Sequence, residues 1–461
     1  MNSYDLIVIG GGPAGYVGAI RAAQLGKRVL LIEKERPGGT CLHWGCIPTK
    51  SLLKCAELYD QIQHAENFGL KVSGVEFDFP KVIARSRGIA DRLAKGIEAL
   101  FKKNKVEHLT GVATLKEGRS VEVKLANGET QTFQPERVLL ATGARPRLLP
   151  SVKVDGEKIL TSREAMVLSK PPKSIVIIGG GSIGVEFASF FHAFGSQVTL
   201  VEMLPQILPF EDEETASELA KQFRRRGIQV FTETKLEQCE TSANGVKLRF
   251  SGKDPAAAEM EVEKVLLAIG LEANLEAVPS GLLKLEKGFI HANERYETSM
   301  PGVYGAGDVI GPPWLAHVAS YEAVQAVEGM FGVHTPKRVT IFPSCIYCQP
   351  QVASVGLTEK KAKELGKKYR VGKFPFFALG KALAAGDNTG FVKLIFGEPK
   401  GEILGAHIVG AEATELISEV NLGMTMEATR DHIVATLHAH PTLSEALAEA
   451  AAASVGEAIH G

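Results

Sequence analysis

The stretch Leu6-Ile-Val-Ile-Gly10-Gly-Gly-Pro-Ala-Gly15 gives the strongest structural signal in the chain. It is a short apolar run that ends in the pattern G-x-G-x-x-G, followed by a helix-like stretch (16–25) and a second apolar run (29–33). Glycines at these positions permit a tight turn and let a pyrophosphate reach the free N–H groups of a helix N-terminus. Glu33, which ends the second run, can accept a hydrogen bond from an adenosine ribose hydroxyl. The pattern therefore predicts a strand–helix–strand unit that binds a dinucleotide.

The same pattern occurs a second time, at Ile175-Val-Ile-Ile-Gly179-Gly-Gly-Ser-Ile-Gly184. A helix-like stretch (185–194) and an apolar run (198–202) follow it, and Glu202 stands at the position that Glu33 has in the first copy. Glycine turns in an α/β core without a ligand are the alternative, but repetition at identical spacing favours two dinucleotide sites. A site for the 2′-phosphorylated nicotinamide would favour arginine at the acidic position, so Glu202 predicts NAD(H). Two dinucleotides in one chain suggest electron transfer between them.

Further repeats mark the organisation of the chain. Val138-Leu-Leu-Ala-Thr-Gly143 resembles Val265-Leu-Leu-Ala-Ile-Gly270, and alternating apolar segments (120–125 and 245–250) precede them, as is typical of antiparallel strands. A third glycine segment, Val303-Tyr-Gly-Ala-Gly-Asp308, is expected to close the second half. The nucleotide-binding patterns end near Val339.

Composition excludes several classes of protein. The chain has 461 residues, 45% of them apolar, with 52 Lys+Arg against 53 Asp+Glu. A disordered chain would be less apolar, and a nucleic-acid binder would be basic, so neither nucleic acid nor a membrane is expected as a partner. No apolar run is long enough to span a bilayer, and the N-terminus lacks the pattern of a signal peptide. The six cysteines suit a reducing cytoplasm in which any disulfide is catalytic.

Two cysteines lie five residues apart in Gly38-Gly-Thr-Cys41-Leu-His-Trp-Gly-Cys46-Ile-Pro-Thr-Lys50. On a regular helix they would be about 7.5 Å apart along the axis, too far for a disulfide. A bridge therefore requires irregular backbone, which the neighbouring glycines can provide. A helix over 47–58 would place Cys46 at a helix N-terminus, where a thiolate is favoured. A structural or metal-binding pair is the alternative, but the spacing is not that of a zinc site.

The motif G-G-T-C-x4-C-I-P-T-K after a dinucleotide fingerprint resembles the pyridine nucleotide-disulfide oxidoreductases, over residues 4–452. The chain is most similar to those members that oxidise protein-bound dihydrolipoamide with NAD+ in 2-oxo-acid dehydrogenase or glycine cleavage complexes. The resemblance implies FAD in the first site and a redox disulfide between Cys41 and Cys46. Cys46 would lie nearer the flavin, and Cys41 would exchange with the substrate. Lys50 would approach the flavin and pair with Glu186.

The glycine patterns and the resemblance together predict the cofactor-binding residues, and no metal ligand is expected. The residues predicted for FAD are Gly10, Gly12, Pro13, Ala14, Gly15, Glu33, Lys34, Gly39, Thr40, Lys50, Ala113, Thr142, Gly143, Asp308, Leu315, Ala316 and His317. Those predicted for NAD are Gly179, Gly181, Ser182, Ile183, Gly184, Glu202 and Gly270. One departure from the family is Leu271-Glu-Ala-Asn after Gly270, where Gly-Arg-x-Pro-Asn is usual.

The C-terminal segment His438-Ala-His440-Pro-Thr-Leu-Ser444-Glu445 precedes an alanine-rich helix. Dithiol oxidation needs a base that titrates near neutrality and is held by a second group. H-P-T-x-S-E resembles the family's catalytic segment, which implies His440 as the base and Glu445 as its orienting carboxylate. In that family the segment enters the partner subunit's site, so a homodimer is implied. His438 is interpreted as structural, and Ser444 as a candidate helix cap.

The sequence and the resemblance predict an α/β protein. It would have two doubly wound Rossmann-like dinucleotide-binding domains and an α+β C-terminal dimerisation domain. The predicted domains are an FAD-binding domain with the redox disulfide (1–147), an NAD-binding domain (148–270), a central segment completing the FAD site (271–338) and an interface domain (339–461).

Other functions remain as alternatives. Another disulfide reductase of this family is one; glutathione-type members would favour arginines near Glu202, and mercuric reductases carry a terminal cysteine pair, which is missing here. A non-catalytic scaffold that retains FAD is a second. A metal-binding protein using Cys345 and Cys348 is a third, although these cysteines lie in a predicted strand and are interpreted as structural thiols.

Overall fold

The computed structural model describes residues 4–460. Met1–Ser3, on which part of the signal-peptide prediction rests, and Gly461 lie outside the described residues. The described residues form two compact units. The first comprises residues 4–51, 81–147 and 270–340, and the second comprises residues 52–80, 148–269 and 341–460.

The helices of residues 4–460 include two long ones that follow the cysteine pair. The α-helices are α1 (Pro13–Gln24), α2 (Gly39–Trp44), α3 (Cys46–Gln63), α4 (Phe79–Asn104), α5 (Ser162–Ala165), α6 (Ser182–Ala193), α7 (Glu213–Arg225), α8 (Ala316–Met330), α9 (Glu359–Glu364), α10 (Gly380–Ala385), α11 (Ala413–Thr425), α12 (Arg430–Ala435) and α13 (Glu445–Ala453). None of these helices has the length and hydrophobicity needed to cross a membrane.

The strands are short and belong to parallel and antiparallel sheets. They are β1 (Leu6–Ile9), β2 (Val29–Glu33), β3 (Glu107–Thr110), β4 (Val112–Leu115), β5 (Val121–Lys124), β6 (Thr130–Phe133), β7 (Arg137–Leu140), β8 (Ala144–Pro146), β9 (Ile159–Leu160), β10 (Ser174–Ile178), β11 (Gln197–Val201), β12 (Gln229–Phe231), β13 (Thr234–Thr241), β14 (Val246–Gly252), β15 (Glu259–Val262), β16 (Lys264–Leu267), β17 (Leu271–Ala273), β18 (Leu285–Glu286), β19 (Phe289–Ile290), β20 (Val303–Gly305), β21 (Pro343–Ile346), β22 (Gln351–Gly356), β23 (Tyr369–Pro375), β24 (Phe391–Gly397) and β25 (Ile403–Gly410).

The first unit is built on a five-stranded sheet in the order β20-β7-β1-β2-β3. All its strand pairs are parallel. Because a parallel sheet is covered on both faces, its central strands are apolar along their whole length, and all four residues of β1 are buried. An antiparallel sheet, β4-β5-β6, carries the alternating pattern predicted for residues 120–125.

The second unit repeats this plan and adds a further sheet. Its parallel sheet has the order β12-β11-β10-β16-β9, and the antiparallel sheet β13-β14-β15 contains the predicted segment 245–250. Residues after 340 form the five-stranded antiparallel sheet β21-β22-β25-β24-β23, whose core includes side chains from α11 and α13. The predicted fold class is therefore confirmed. The division into four functional domains stays a prediction.

One prediction about the topology is wrong. The segment around Val303 was expected to close the second half, yet β20 pairs in parallel with β7 at the edge of the first sheet, with Val303 opposite Val138. The pairing partner of a three-residue strand is set by long-range packing, which a local sequence pattern does not encode. The third glycine segment therefore lies in the first nucleotide-binding unit.

Candidate active site

The first glycine loop lies at the carboxyl end of β1, where doubly wound sheets bind their ligands. Gly10 has φ +103°, and a Cβ at this position would lie 2.3 Å from the carbonyl oxygen of Ala141. A Cβ at Gly15 would lie 1.8 Å from the carbonyl oxygen of Gly10, so both positions require glycine. Glu33 accepts a hydrogen bond from the Gly11 N–H at 2.6 Å. The acid predicted to meet a ribose thus lies beside the loop predicted to hold the phosphates.

A second helix begins at the same place. Gly307 has φ +74°, and a Cβ there would lie 3.1 Å from the Cβ of Ala14 on α1 and 3.0 Å from that of Ala319 on α8. The N-terminal turns of both helices therefore flank Gly307 and the adjacent Asp308. Burial raises the pKa of Asp308 to about 6. Residues from two distant parts of the sequence, the start of α1 and the segment 307–319, therefore lie together.

The two cysteines of the redox motif are brought together by irregular backbone, as predicted. Cys41 lies in α2, and α3 begins at Cys46. A hydrogen bond with Cys46, together with burial, raises the pKa of the Cys41 thiol, while the charge of Lys50 opposes this shift and that of Asp308 adds to it. Cys41, Cys46, Lys50 and Asp308 therefore form one electrostatic cluster.

The cysteine segment lies against the first glycine loop. Gly39 has φ +57°, and a Cβ there would lie 2.7 Å from the Cα of Gly12. This close backbone approach connects α2, which carries Cys41, with the turn that precedes α1. The redox pair and the predicted phosphate site are thus parts of one local structure.

Thr142 and Gly143, which are also predicted to bind FAD, lie beside Asn274 in the first unit. Thr142 donates a hydrogen bond to the Asn274 carbonyl at 2.7 Å, and Asn274 donates to the Thr142 carbonyl at 2.9 Å. Gly143 has φ +70° and follows directly. The unusual segment at Leu271 forms β17, which pairs with β8, so the departure from the family pattern preserves a regular strand.

Other predicted residues lie at element ends. Pro13 is the first residue of α1, Leu315 is the N-cap of α8, and Ala316 and His317 are its first residues. Ala113 is buried in β4. Lys34 and Thr40 are exposed.

The second glycine loop reproduces the first. Gly179 has φ +108°, and a Cβ there would lie 2.3 Å from the carbonyl oxygen of Ala268, the counterpart of Ala141. A Cβ at Gly184 would lie 1.9 Å from the Gly179 carbonyl oxygen. Glu202 is buried and accepts a hydrogen bond from the Gly180 N–H at 2.7 Å. The two sites therefore share glycine geometry and the position of the acid.

The N-terminus of α6 continues this second site. Gly181 is its N-cap, and Ser182, Ile183 and Gly184 form its first turn. Glu186, two residues after Gly184 in α6, is buried and accepts a hydrogen bond from the Tyr347 N–H at 3.0 Å. Its pairing with Lys50 stays a prediction. Gly270 belongs to the first unit and has φ +107°.

His440 and Glu445 form a direct pair at the start of α13. The Nδ1 atom of His440 lies 2.8 Å from Oε1 of Glu445, and the His440 side chain is 80% exposed. The Thr442 N–H donates to the other carboxylate oxygen at 2.8 Å. This backbone hydrogen bond, followed by the one from His440, lowers the pKa of Glu445. The carboxylate is therefore charged at neutral pH and holds one nitrogen of the ring.

His438 has a different environment, as the sequence predicts. Its side chain is only 6% exposed, and its ring nitrogens contact Glu419 at 2.8 Å and the Thr436 carbonyl at 3.1 Å.

The capping prediction for Ser444 is wrong in part. Ser444 is the N-cap of α13, but its hydroxyl lies 2.9 Å from that of Thr442 instead of accepting a helix N–H.

The other cysteines have structural environments. Cys345 lies in β21 and its thiol is 3.8 Å from the Thr414 carbonyl, while Cys348 lies beyond the strand, is fully buried and contacts the Pro350 carbonyl at 3.2 Å. Among residues 4–460, no cluster of three or more His, Cys, Asp or Glu side chains could hold a metal ion.

Sequence reasoning missed one buried carboxylate beside the first site. Glu322 of α8 accepts a hydrogen bond from the Gly307 N–H at 2.9 Å, and burial raises its pKa to about 7. Arg338 lies 3.9 Å from the other carboxylate oxygen. A glutamate on an otherwise apolar helix face was the signal that could have pointed to it.

Comparison with known proteins assigns the chain to a family. Residues 4–323 match the pyridine nucleotide-disulphide oxidoreductase family, and residues 342–451 match its dimerisation domain. The chain is 46% identical to the dihydrolipoyl dehydrogenase of Zymomonas mobilis, over 100% of this chain and 99% of the relative. It is 43% identical to that of Bacillus subtilis, with the same coverage.

Solved structures agree with this assignment. LpdA from Mycobacterium tuberculosis superposes with a TM-score of 0.89 at 27% identity, over 97% of this chain and 98% of that one. The HOCl-induced flavoprotein disulfide reductase RclA from Escherichia coli does so with a TM-score of 0.86 at 25% identity, over 97% and 99%. The chain therefore belongs to the pyridine nucleotide-disulphide oxidoreductase family, among the dihydrolipoyl dehydrogenases.

Proposed function

We propose that this chain oxidises protein-bound dihydrolipoamide to lipoamide and reduces NAD+ to NADH, using FAD and a Cys41–Cys46 couple. The observation that carries the proposal is the contact of these two thiols beside the first glycine loop, in a chain similar over its full length to dihydrolipoyl dehydrogenases. Another disulfide reductase or a non-catalytic flavoprotein scaffold is less favoured by this combination. The balanced reaction is one dithiol and one NAD+ giving one cyclic disulfide, one NADH and one proton.

The residues of the first unit fit FAD. Gly10 and Gly15 leave the approach to the N-terminus of α1 free of side chains, and Glu33 lies where an adenosine ribose would be bound. Asp308 is the carboxylate that would meet the ribityl chain, and the backbone at Ala113 would meet the adenine. When bound, FAD supplies the two-electron carrier between the thiols and NAD+.

The two sulfurs have different roles in this proposal. Because the hydrogen bond with Cys46 raises the pKa of Cys41, the negative charge of the reduced pair resides on Cys46, at the N-terminus of α3. The substrate thiolate attacks Cys41 in the disulfide state and displaces the Cys46 thiolate. The second substrate thiol then displaces Cys41, which leaves both cysteines reduced and the substrate oxidised. Lys50 provides the positive charge beside the pair.

His440 is the proposed base. Glu445 holds its Nδ1 atom, so Nε2 is left to accept a proton from a substrate thiol. The ring is largely exposed in the single chain, and the C-terminal region matches a dimerisation domain. We therefore propose a homodimer in which His440 of each chain serves the cysteine pair of its partner.

The second unit fits NAD. Gly179 and Gly184 clear the N-terminus of α6, and Glu202 lies where a ribose 2′-hydroxyl would be bound. Met203 and Leu204 follow it, so the loop brings no cation that would favour a 2′-phosphate. The nicotinamide acceptor is thus NAD+ in preference to its phosphorylated form.

Partners follow from the substrate. A dithiol attached to a carrier implies a lipoyl-bearing domain, and hence a 2-oxo-acid dehydrogenase or glycine cleavage complex. A cytoplasmic location is part of the proposal, because a catalytic redox couple suits a reducing compartment.

The test is a steady-state assay of the purified flavoprotein with free dihydrolipoamide. NADH should form from NAD+, and NADPH should form much more slowly from NADP+. Reduced glutathione in place of dihydrolipoamide should give negligible NADH. A yellow protein that reduces neither nicotinamide with dihydrolipoamide would favour the scaffold alternative, and a preference for glutathione would favour another reductase.

A further inference from the structure

The backbone between the two redox cysteines changes direction abruptly. α2 ends at Trp44, α3 begins at Cys46, and Gly45 alone connects them, with φ −151° and ψ −116°. The last carbonyl groups of a helix lack partners within that helix, so the end of α2 needs donors from elsewhere. The separation of the two sulfurs depends on how firmly this junction is held.

Arg87 of α4 holds the end of α2. Its guanidinium donates a hydrogen bond to the His43 carbonyl at 2.5 Å. The guanidinium carbon also lies 4.3 Å from the centre of the Trp44 ring, which is within cation–π range. One half-buried side chain therefore fixes two consecutive residues that lie between Cys41 and Cys46. A cation at a helix C-terminus is also favourable for the helix dipole.

Other contacts hold the two ends of the same segment. The buried His43 ring contacts the Pro37 carbonyl at 2.9 Å on the N-terminal side. On the C-terminal side Thr49 donates to the Gly45 carbonyl at 2.7 Å through its hydroxyl. These contacts are local in sequence, whereas Arg87 brings in a separate long helix. Arg87 therefore connects the junction itself with α4.

We propose that Arg87 is a positioning residue for the Cys41–Cys46 couple and that it favours the disulfide state. This inference rests on the proposed function of the pair. When the disulfide forms, both thiols lose their protons, one S–S bond forms and two electrons pass to the flavin or, in the experiment below, to oxidised dithiothreitol. The closing step is faster and more favourable when one sulfur is kept near the other, because less conformational entropy is lost. A fixed α2–α3 junction provides this condition.

The expected consequence is a shift in the thiol–disulfide equilibrium. Arg87→Met removes the donor and the charge but keeps an unbranched apolar chain of similar reach. We expect the ratio of dithiol to disulfide in a given dithiothreitol buffer to rise about tenfold. For a two-electron couple this corresponds to a change of about 30 mV toward a more oxidising potential. Arg87→Lys keeps the charge and a donor but not the planar contact with Trp44, so we expect a smaller rise of about threefold.

The experiment uses the holoenzyme under anaerobic conditions. Wild type, Arg87→Met, Arg87→Lys and the control Arg92→Met are equilibrated in buffers of reduced and oxidised dithiothreitol. They are then quenched in acid, and the Cys41–Cys46 peptide is alkylated and measured by mass spectrometry. Arg92 is an exposed residue of the same helix, so its variant controls for loss of a surface arginine. FAD content and melting temperature are recorded for each protein.

The outcomes separate this inference from the proposed function. A tenfold shift in Arg87→Met, an intermediate shift in Arg87→Lys and none in Arg92→Met support positioning by Arg87. If the ratio of dithiol to disulfide in both Arg87 variants stays within twofold of the wild-type ratio, while their FAD content is full, the inference is overturned. If Arg87→Met does not fold, Arg87→Lys and Trp44→Leu decide, and the absence of a shift in both overturns the inference. A wild-type protein that forms no Cys41–Cys46 disulfide at all would contradict the proposed function itself.

Discussion

Cys41 and Cys46 have the same functional group, yet their surroundings give them different chemistry. Cys41 lies inside a short helix and its thiol has a raised pKa, while Cys46 begins a long helix whose N-terminus favours a thiolate. Such a difference assigns one sulfur to exchange with the substrate and the other to carry the charge of the reduced pair. The sequence predicts the helix N-terminus at Cys46, whereas the different roles of the two sulfurs are implied only by the family resemblance. It does not predict the contribution of Arg87, which lies on a different helix.

A single substitution at His440 tests the base. His440→Gln should lower the rate of dihydrolipoamide oxidation by about 10²- to 10⁴-fold, the usual contribution of a general base. FAD content should not change, since the side chain is 80% exposed and its ring is held by Glu445. His438→Gln is the matched control, because that ring is held by Glu419 and Thr436. Equal rates in His440→Gln and wild type would assign the base to another residue.

Glu322 gives the stability of the protein a specific pH dependence. Burial raises the pKa of Glu322 to about 7, above the ordinary value for a glutamate. Between pH ~4.5 and ~7 the folded state therefore keeps a proton that the unfolded state releases, so the free energy of unfolding falls as pH rises through this window. The loss is complete above pH ~7 and is of the order of 3 kcal/mol.

Glu322→Gln should remove this loss, because an amide oxygen can still accept the Gly307 N–H. The melting temperature of the variant relative to wild type should thus be higher at pH 8 than at pH 5, as measured by thermal unfolding of the flavoprotein. Glu328→Gln on the same helix is the control. Although burial acts against it, hydrogen bonds from His334 and Arg21 lower the pKa of Glu328, so this carboxylate is charged in both the folded and the unfolded state from pH 5 to pH 8. The difference in melting temperature between Glu328→Gln and wild type should therefore not change over this range. If the difference in melting temperature between Glu322→Gln and wild type is the same at both pH values, the raised pKa of Glu322 is contradicted.

At the level of elements, the two glycine loops have the same geometry and different proposed ligands. A Cβ at either Gly10 or Gly179 would lie 2.3 Å from a carbonyl oxygen of the neighbouring strand end. Gly10→Ala should therefore lose FAD, measured as flavin absorbance per chain. Gly179→Ala should retain FAD but raise the KM for NAD+ by at least about tenfold, because the displaced loop no longer approaches the pyrophosphate.

Gly88→Ala provides the control for these two variants. Gly88 lies in α4, and a Cβ there meets no atom within 4 Å. The substitution should leave both cofactor sites unchanged and stabilise the helix slightly, since alanine has the higher helix propensity. Loss of FAD in Gly179→Ala, with retention in Gly10→Ala, would reverse the assignment of the two sites.

The elements show where sequence reasoning succeeds and where it stops. Both strand–helix–strand units could be predicted, because glycine at a positive φ and an acid at a strand end leave a local pattern. The position of β20 could not, since Val303 and its strand partner Val138 are far apart in sequence. The hydrogen bond from the Gly307 N–H to Glu322 and that from Arg87 to the His43 carbonyl could not be predicted either, because each joins two separate elements.

At the scale of the whole molecule, the account requires two chains for each active site. Co-expression of a Cys41→Ser chain with a His440→Gln chain tests this, because the two inactive chains carry complementary defects. In the mixed dimer one site would combine an intact cysteine pair with an intact histidine from the other chain. The isolated heterodimer should regain about half of the wild-type rate in the NADH assay. Activity no higher than that of either mutant homodimer would show that His440 does not act across the dimer.

The most direct test of the central claim follows the electrons through the cysteine pair in one turnover. The flavoprotein is reduced anaerobically with dihydrolipoamide, quenched with an alkylating reagent under denaturing conditions and analysed by mass spectrometry. A parallel sample receives excess NAD+ before the quench, and both are compared with the untreated protein. The account predicts that the label on Cys41 and Cys46 rises after dihydrolipoamide and falls again after NAD+, with one NADH formed per pair reoxidised. Constant labelling of these two cysteines in all three samples, while NADH is formed, would contradict it.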